Sequence, residues 1–131
     1  GRLSMEELLP QVDVLSLHCP LNEHTRDLIN ADAIEQMKTG AFLINASRGG
    51  IVNERDLADA LRRGKLAGAA TDVLSEEPPV NGNPLLADDI PNLIITPHCA
   101  WGSVQARQRI VDQMTETLVG LKAGEKIRMV N

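Results

Sequence analysis

At 131 residues, 43% hydrophobic and 24% charged, the chain suits one domain or a piece of a larger one, and its composition excludes a disordered polymer. A net charge of −5 with no basic cluster argues against a nucleic-acid partner. No apolar run approaches the roughly 20 residues of a membrane helix, and no charged-then-apolar leader opens the chain, so a cytoplasmic protein is expected.

Ser4, with Glu7 three residues on, marks a capping box and predicts a short helix over 4–9. Residues 12–18 read as an apolar strand closed by Cys19-Pro20, because proline cannot donate to a sheet ladder. A polar loop follows, with His24 expected at the surface. A helix over 31–37 carries Ile34 and Met37 inward and ends at Lys38-Thr39-Gly40. The second strand, 41–46, runs into Ser47-Arg48-Gly49-Gly50. Asn53 caps a helix with Asp56 in its first turn, a buried stripe of Leu57, Ala58 and Leu61, and Gly64 at its end. A strand of small residues spans 66–73, a loop rich in proline, glycine, asparagine and aspartate spans 75–91 with one helical turn at Leu85-Leu86, and a fourth strand spans 92–96. Ser103 to Ala123 predicts a long helix with Ile110, Met114, Leu118 and Leu121 at helical spacing, and 126–131 an extended tail.

Strands alternating with helices predict an α/β fold, a Rossmann-type parallel sheet with right-handed crossovers. The continuous apolar strands imply burial on both faces. In such sheets ligands sit at the carboxyl ends of the strands. Those ends deliver His18-Cys19-Pro20, Asn45-Ala46-Ser47-Arg48, Asp72-Val73 and Pro97-His98-Cys99-Ala100-Trp101, with Glu76-Glu77 just beyond. Singly, each has a bland explanation: a surface ion pair for Arg48, a solvated loop for Glu76-Glu77, a strand terminator for Thr96-Pro97-His98. Together they suit a small molecule bearing a carboxylate beside a C–O group. Arg48 supplies a bidentate fork, and a carboxylate–imidazole pair with His98 supplies general acid–base chemistry. Cys19 and Cys99 lack C-x-x-C spacing and read as thiols that line the site rather than as a disulfide or zinc site.

Four ordered blocks carry a resemblance to a known family. D-V-L-S-L-H-C-P-L-N-E-H-T-R-D-L-I-N (13–30), M-K-T-G-A-F-L-I-N-A-S-R-G-G-I-V-N (37–53), A-A-T-D-V-L-S-E-E-P (69–78) and N-L-I-I-T-P-H-C-A-W (92–101) resemble the NAD-dependent D-2-hydroxyacid dehydrogenases, in the C-terminal part of their nucleotide-binding domain. The Trp after the histidine and the following A-R-Q-R are most similar to the glycerate dehydrogenase (hydroxypyruvate reductase) members.

The resemblance implies that Arg48 holds a substrate carboxylate, that His98 is the acid–base group, and that Glu77 pairs with it. It implies that Asp72 bonds the nicotinamide carboxamide and that Cys19, Pro20, Ala46, Ser47, Arg48, His98, Ala100 and Trp101 border the cofactor, with Gly49 and Gly50 letting the backbone pass close to it. Glu77 favours this activity over that of the related formate dehydrogenases, in which an amide is expected there. The implied cofactor is NAD, with NADP open, and the implied parent is a homodimer acting on a small 2-ketoacid or 2-hydroxyacid.

No G-x-G-x-x-G and no identifiable ribose-binding acid occur in the chain. The expectation is therefore a fragment, inactive alone, that self-associates, through exchange of 103–123 between chains. Its residues 1–102 would be the C-terminal part of the NAD-binding domain, and 103–131 a helix and tail that pack back towards a substrate domain outside the chain. Two other readings stay open: an NAD(H)-sensing corepressor of the same fold, and a dehydrogenase of another substrate such as phosphoglycerate, glyoxylate or phosphite.

Overall fold

The computed structural model describes residues 1–128. It falls into two compact units, Gly1–His98 and the chain from Cys99 onward. The first unit runs α1 (Met5–Leu8), β1 (Val14–Leu17), α2 (Ala31–Gln36), β2 (Ala41–Asn45), α3 (Glu54–Arg62), β3 (Leu66–Thr71), a 3-10 turn (Pro84–Leu86) and β4 (Leu93–Ile95). The second holds α4 (Val104–Lys122).

Local chemistry sets the helix ends. Ser4 Oγ accepts from Glu7 N and the Glu7 carboxylate accepts from Ser4 N, so the predicted capping box is present. Asn30, Asn53 and Ser103 cap α2, α3 and α4 through their side-chain oxygens. Asp56, in the first turn of α3, reaches across to accept from Ala31 N at 2.8 Å and fixes the two helix starts together. Gly40 and Gly64 leave α2 and α3 with φ near +84° and +68°, where a Cβ would be disfavoured.

The four strands are parallel and lie in chain order, β1-β2-β3-β4. Leu17 stands opposite Asn45, Asn45 opposite Thr71, and Thr71 opposite Ile95. The strands thus finish in one row, and His18, Ala46, Asp72 and Thr96 emerge side by side at the carboxyl edge. The four-strand parallel expectation holds, although all four strands are shorter than predicted, β1 by Val12 and Asp13 at its start and His18 at its end, and β2 by Ala46.

The expectation of burial on both faces fails for this sheet. In β1 and β2 burial alternates strictly: Leu15, Leu17, Ala41, Leu43 and Asn45 are buried, whereas Val14, Ser16, Phe42 and Ile44 are exposed. The buried set joins Ala33, Ile34, Leu57, Ala58 and Leu61 from α2 and α3 in one core. On the opposite face Phe42 is 48% and Ile94 64% exposed, because both crossover helices contribute to the same core and leave Val14, Phe42 and Ile94 outside it. The stripe Ile110, Met114, Leu118 and Leu121 on α4 is likewise exposed, and Gly120 is the buried residue of that helix. Of the tail predicted to be extended, Arg128 has φ near +50° and is not extended, and residues 129–131 lie outside the described residues.

Candidate functional site

The second strand ends on a buried amide. Asn45, 4% exposed, accepts from Ser47 N (3.1 Å) and Ser47 Oγ (2.8 Å) through Oδ1 and donates to Arg48 O (3.0 Å) through Nδ2. One side chain thereby folds the Ala46-Ser47-Arg48 turn back on the strand and sends Arg48 outward. The guanidinium is exposed, its Nη1 donates to Ser47 O at 2.7 Å, and among the described residues no acid forms an ion pair with it.

Gly49 follows at a point of close backbone approach. A Cβ there would stand 1.8 Å from Leu74 O, so only glycine fits. The neighbour that excludes a side chain is therefore the chain's own 74–75 backbone. Gly50, with φ near +80°, turns the chain into Ile51, and Gly50 O and Ile51 O accept from Asp27 N and Ile29 N.

The third strand delivers Asp72, 5% exposed, whose Oδ1 accepts from Thr96 Oγ1 at 2.5 Å. This bond ties the ends of β3 and β4 together, as does Thr96 N donating to Thr71 O. Two residues later, Leu74 N donates to Glu77 Oε1 at 2.7 Å. Glu77 Oε2 lies 2.6 Å from Nδ1 of His98. The carboxylate is held below the ordinary carboxyl range, first by the Leu74 amide and then by the imidazole. An ionised Glu77 can only accept, so the bond places a hydrogen on Nδ1. His98 itself has φ near +50° and its N–H donates to Thr96 O, a tight turn in which a non-glycine residue is held left-handed. Such strain clusters at functional sites, and here it aims the imidazole at Glu77.

The sequence-predicted residues distribute as follows. Glu77 and His98 are in direct contact, 21 positions apart. Cys19, half-buried, and Pro20, exposed, follow β1, and Ala46, Ser47 and Arg48 follow β2, all on the edge that carries Asp72 after β3 and His98 after β4. Ala100 and Trp101 belong to the second unit, where Trp101 is exposed. His24 is exposed in its loop, 3.4 Å from Glu23. Sequence reasoning missed Asn45 and Thr96 as residues that shape the site. The available signal for Asn45 was an amide at the end of an apolar strand, a group that must find partners once buried.

Comparison with known proteins agrees with this fold. Residues 1–100 match the family model described as the D-isomer specific 2-hydroxyacid dehydrogenase, NAD binding domain. The glycerate dehydrogenase of Methylorubrum extorquens is 43% identical over 130 residues, covering 99% of this chain and 41% of that protein. The hydroxypyruvate reductase of Blautia hydrogenotrophica is 42% identical over 129 residues, covering 98% and 39%. Among solved structures, the NAD-complexed D-isomer specific 2-hydroxyacid dehydrogenase from Lactobacillus delbrueckii ssp. bulgaricus superimposes with a TM-score of 0.81 at 30% identity, covering 98% of this chain and 43% of that one. The chain thus spans about two-fifths of the length of the curated relatives it matches. With the parallel sheet, the paired Glu77 and His98 and a match over 100 residues, the chain belongs to the D-isomer specific 2-hydroxyacid dehydrogenase family, in its NAD-binding domain.

Proposed function

We propose that this chain forms the nicotinamide-facing, acid–base part of an NAD(P)-dependent enzyme that interconverts a 2-ketoacid and a D-2-hydroxyacid, with hydroxypyruvate and D-glycerate as the substrate pair. The observation that carries this reading is the 2.6 Å contact of Glu77 with His98, on the same sheet edge from which Arg48 projects with no acidic ion-pair partner among the described residues. Similarity to a glycerate dehydrogenase and a hydroxypyruvate reductase supports the choice of substrate pair.

The donor set fits the nicotinamide end of the cofactor. Asp72 is a buried acceptor at the end of a central strand, suited to a carboxamide N–H, and Cys19, Pro20, Ala46 and Ser47 border the same edge. Ala100 and Trp101 complete the cofactor-side set by resemblance. The pyrophosphate end is not provided for, because the chain has no G-x-G-x-x-G. The bound cofactor supplies the hydride.

The protein's own groups do the rest. Arg48 grips the substrate carboxylate in a fork and sets the position of the adjacent carbonyl. In reduction the carbonyl carbon gains the hydride, and its oxygen takes a proton from Nε2 of His98 to become the hydroxyl. In oxidation Nε2 takes that proton back. Glu77 fixes the tautomer and the tilt of the ring throughout.

In this reading the parent is a cytoplasmic homodimer, and residues 103–131 return towards a substrate domain. The exposed apolar stripe of α4 supports that last step; sedimentation of the full-length protein checks the dimer.

The decisive experiment follows NADH consumption by the full-length protein against a panel of 2-ketoacids. Hydroxypyruvate is expected to give the highest kcat/KM. A higher value for another 2-ketoacid would reassign the substrate. NADH binding with no turnover of any 2-ketoacid would overturn the enzymatic reading in favour of a sensor.

A further inference from the structure

The loop that carries Glu77 has almost no secondary structure of its own: between the end of β3 and the 3-10 turn at Pro84, residues 72–83 form neither helix nor strand. A catalytic carboxylate on such a loop needs an external anchor. That anchor is Glu54, the first residue of α3 after its cap Asn53. Its Oε1 accepts from Ser75 N at 2.6 Å, and its Oε2 accepts from Ser75 Oγ at 2.6 Å and from Asn83 Nδ2 at 2.7 Å. One carboxylate therefore receives three hydrogen bonds from two points of the loop. Ser75 adjoins Leu74, whose N–H holds Glu77 Oε1, and Glu77 Oε2 holds His98. From the other side, the Gly49 backbone sits against Leu74 O at a separation that no Cβ tolerates. Leu74-Ser75 is thus gripped between the Arg48-Gly49 turn and the start of α3.

We infer that Glu54 is a positioning residue for the reaction: it sets the place of Glu77, and through Glu77 the orientation of His98, by clamping Ser75 and Asn83. Its role rests on the acid–base reading of Glu77 and His98 given above. The charge matters as well as the shape. All three partners are donors, so an ionised carboxylate satisfies them, whereas an amide in its place presents an N–H to a donor and releases one arm of the clamp.

The test is a double-mutant cycle in the full-length enzyme with Glu54→Gln, Glu77→Gln and the pair, reading kcat, KM for the 2-ketoacid, the Kd for NADH and the pH profile of kcat. Displacing a catalytic group by an ångström can cost on the order of 100-fold, so Glu54→Gln is expected to lower kcat roughly tenfold to a hundredfold. KM and the NADH Kd should stay within about twofold, and the apparent pKa in the kcat profile should move in the same direction as in Glu77→Gln. Because Glu54 acts through Glu77, the double variant should be no slower than Glu77→Gln alone. Independent, multiplicative losses in the double variant, or a Glu54→Gln enzyme with unchanged kcat and pH profile while Glu77→Gln is impaired, would overturn the inference and leave the acid–base reading intact. An unimpaired Glu77→Gln enzyme would overturn that reading and the role of Glu54 with it. Should Glu54→Gln fail to fold, Ser75→Ala removes one arm of the clamp; a lowered kcat with a shifted pH profile supports the assignment, and an unchanged pair of readouts overturns it.

Discussion

Arg48, Glu77 and His98 are chemically distinct, and the proposed mechanism assigns each a different kinetic signature. In that mechanism Arg48 contacts the substrate in ground state and transition state alike, so Arg48→Ala should act mainly on KM. Loss of a charge-assisted hydrogen bond of about 1.5–3 kcal/mol predicts a fall in kcat/KM of roughly 10- to 150-fold. Lysine should restore little of it, since it lacks the planar fork. His98→Ala removes the proton donor and should lower kcat by roughly 100- to 10,000-fold with little change in KM. Steady-state kinetics of the two variants in the full-length enzyme separate these outcomes, and equal effects of both on KM alone would remove His98 from the chemistry. Glu77 also links the site to stability. Its folded-state pKa lies below the ordinary carboxyl value, so its contribution is complete above that ordinary value and is lost as pH falls through the depressed one. Acid unfolding of Glu77→Gln should therefore show a shallower loss of stability across that acidic window than the parent, while the two differ by a constant amount at neutral pH. Denaturant titrations at a series of pH values check this.

At the level of elements, the functional geometry depends on two joints between loops rather than on any one helix or strand. Asn45 makes three hydrogen bonds to Ser47 and Arg48 from a buried position. Asn45→Ala would leave those groups without a partner and should cost on the order of 2–3 kcal/mol. Gly49 is the second joint. Gly49→Ala sets a Cβ against Leu74 backbone that cannot move without displacing Glu77, so a loss of about 3 kcal/mol or more is expected. The two variants differ in a telling way. Asn45→Ala should loosen the Arg48 turn and raise KM, whereas Gly49→Ala should disturb the Glu77 loop and lower kcat. Thermal unfolding with parallel kinetics reads both, and a Gly49→Ala protein as stable and active as the parent would contradict the close approach.

At the scale of the molecule, the exposed apolar sheet face dominates. Val14, Phe42, Ile44 and Ile94 stand on the side away from the core formed with α2 and α3. A contiguous apolar surface of that kind marks association or aggregation in water. Residues 1–131 expressed alone should bind a hydrophobic dye and self-associate, and Phe42→Lys with Ile94→Lys should suppress both without unfolding the sheet, because neither side chain is buried. Sedimentation velocity and dye fluorescence measure this; a monomeric, dye-silent parent fragment would refute it.

The amino-acid sequence by itself determined the helix caps, the parallel sheet and the residues gathered at its strand ends. These follow from local rules: Ser4 and Asn53 cap because their side-chain oxygens meet orphan N–H groups, and apolar strands alternating with helices leave few topologies. It also exposed Arg48, His98 and the pair Glu76-Glu77 as candidates, since their types and positions suit carboxylate binding and proton transfer, and the family resemblance singled out Glu77 from that pair. Only the tertiary structure decided which sheet face stays bare. Runs such as Ala41–Asn45 carry apolar side chains on both sides, and nothing in their pattern says that α2 and α3 join a single core. Only the tertiary structure, too, revealed Asn45 and Glu54 as the residues that hold the site together. Their partners are fixed by how the strand-end loops meet: Glu54 binds Ser75 and Asn83 across 21 and 29 positions of chain, a separation over which sequence spacing carries no geometric information.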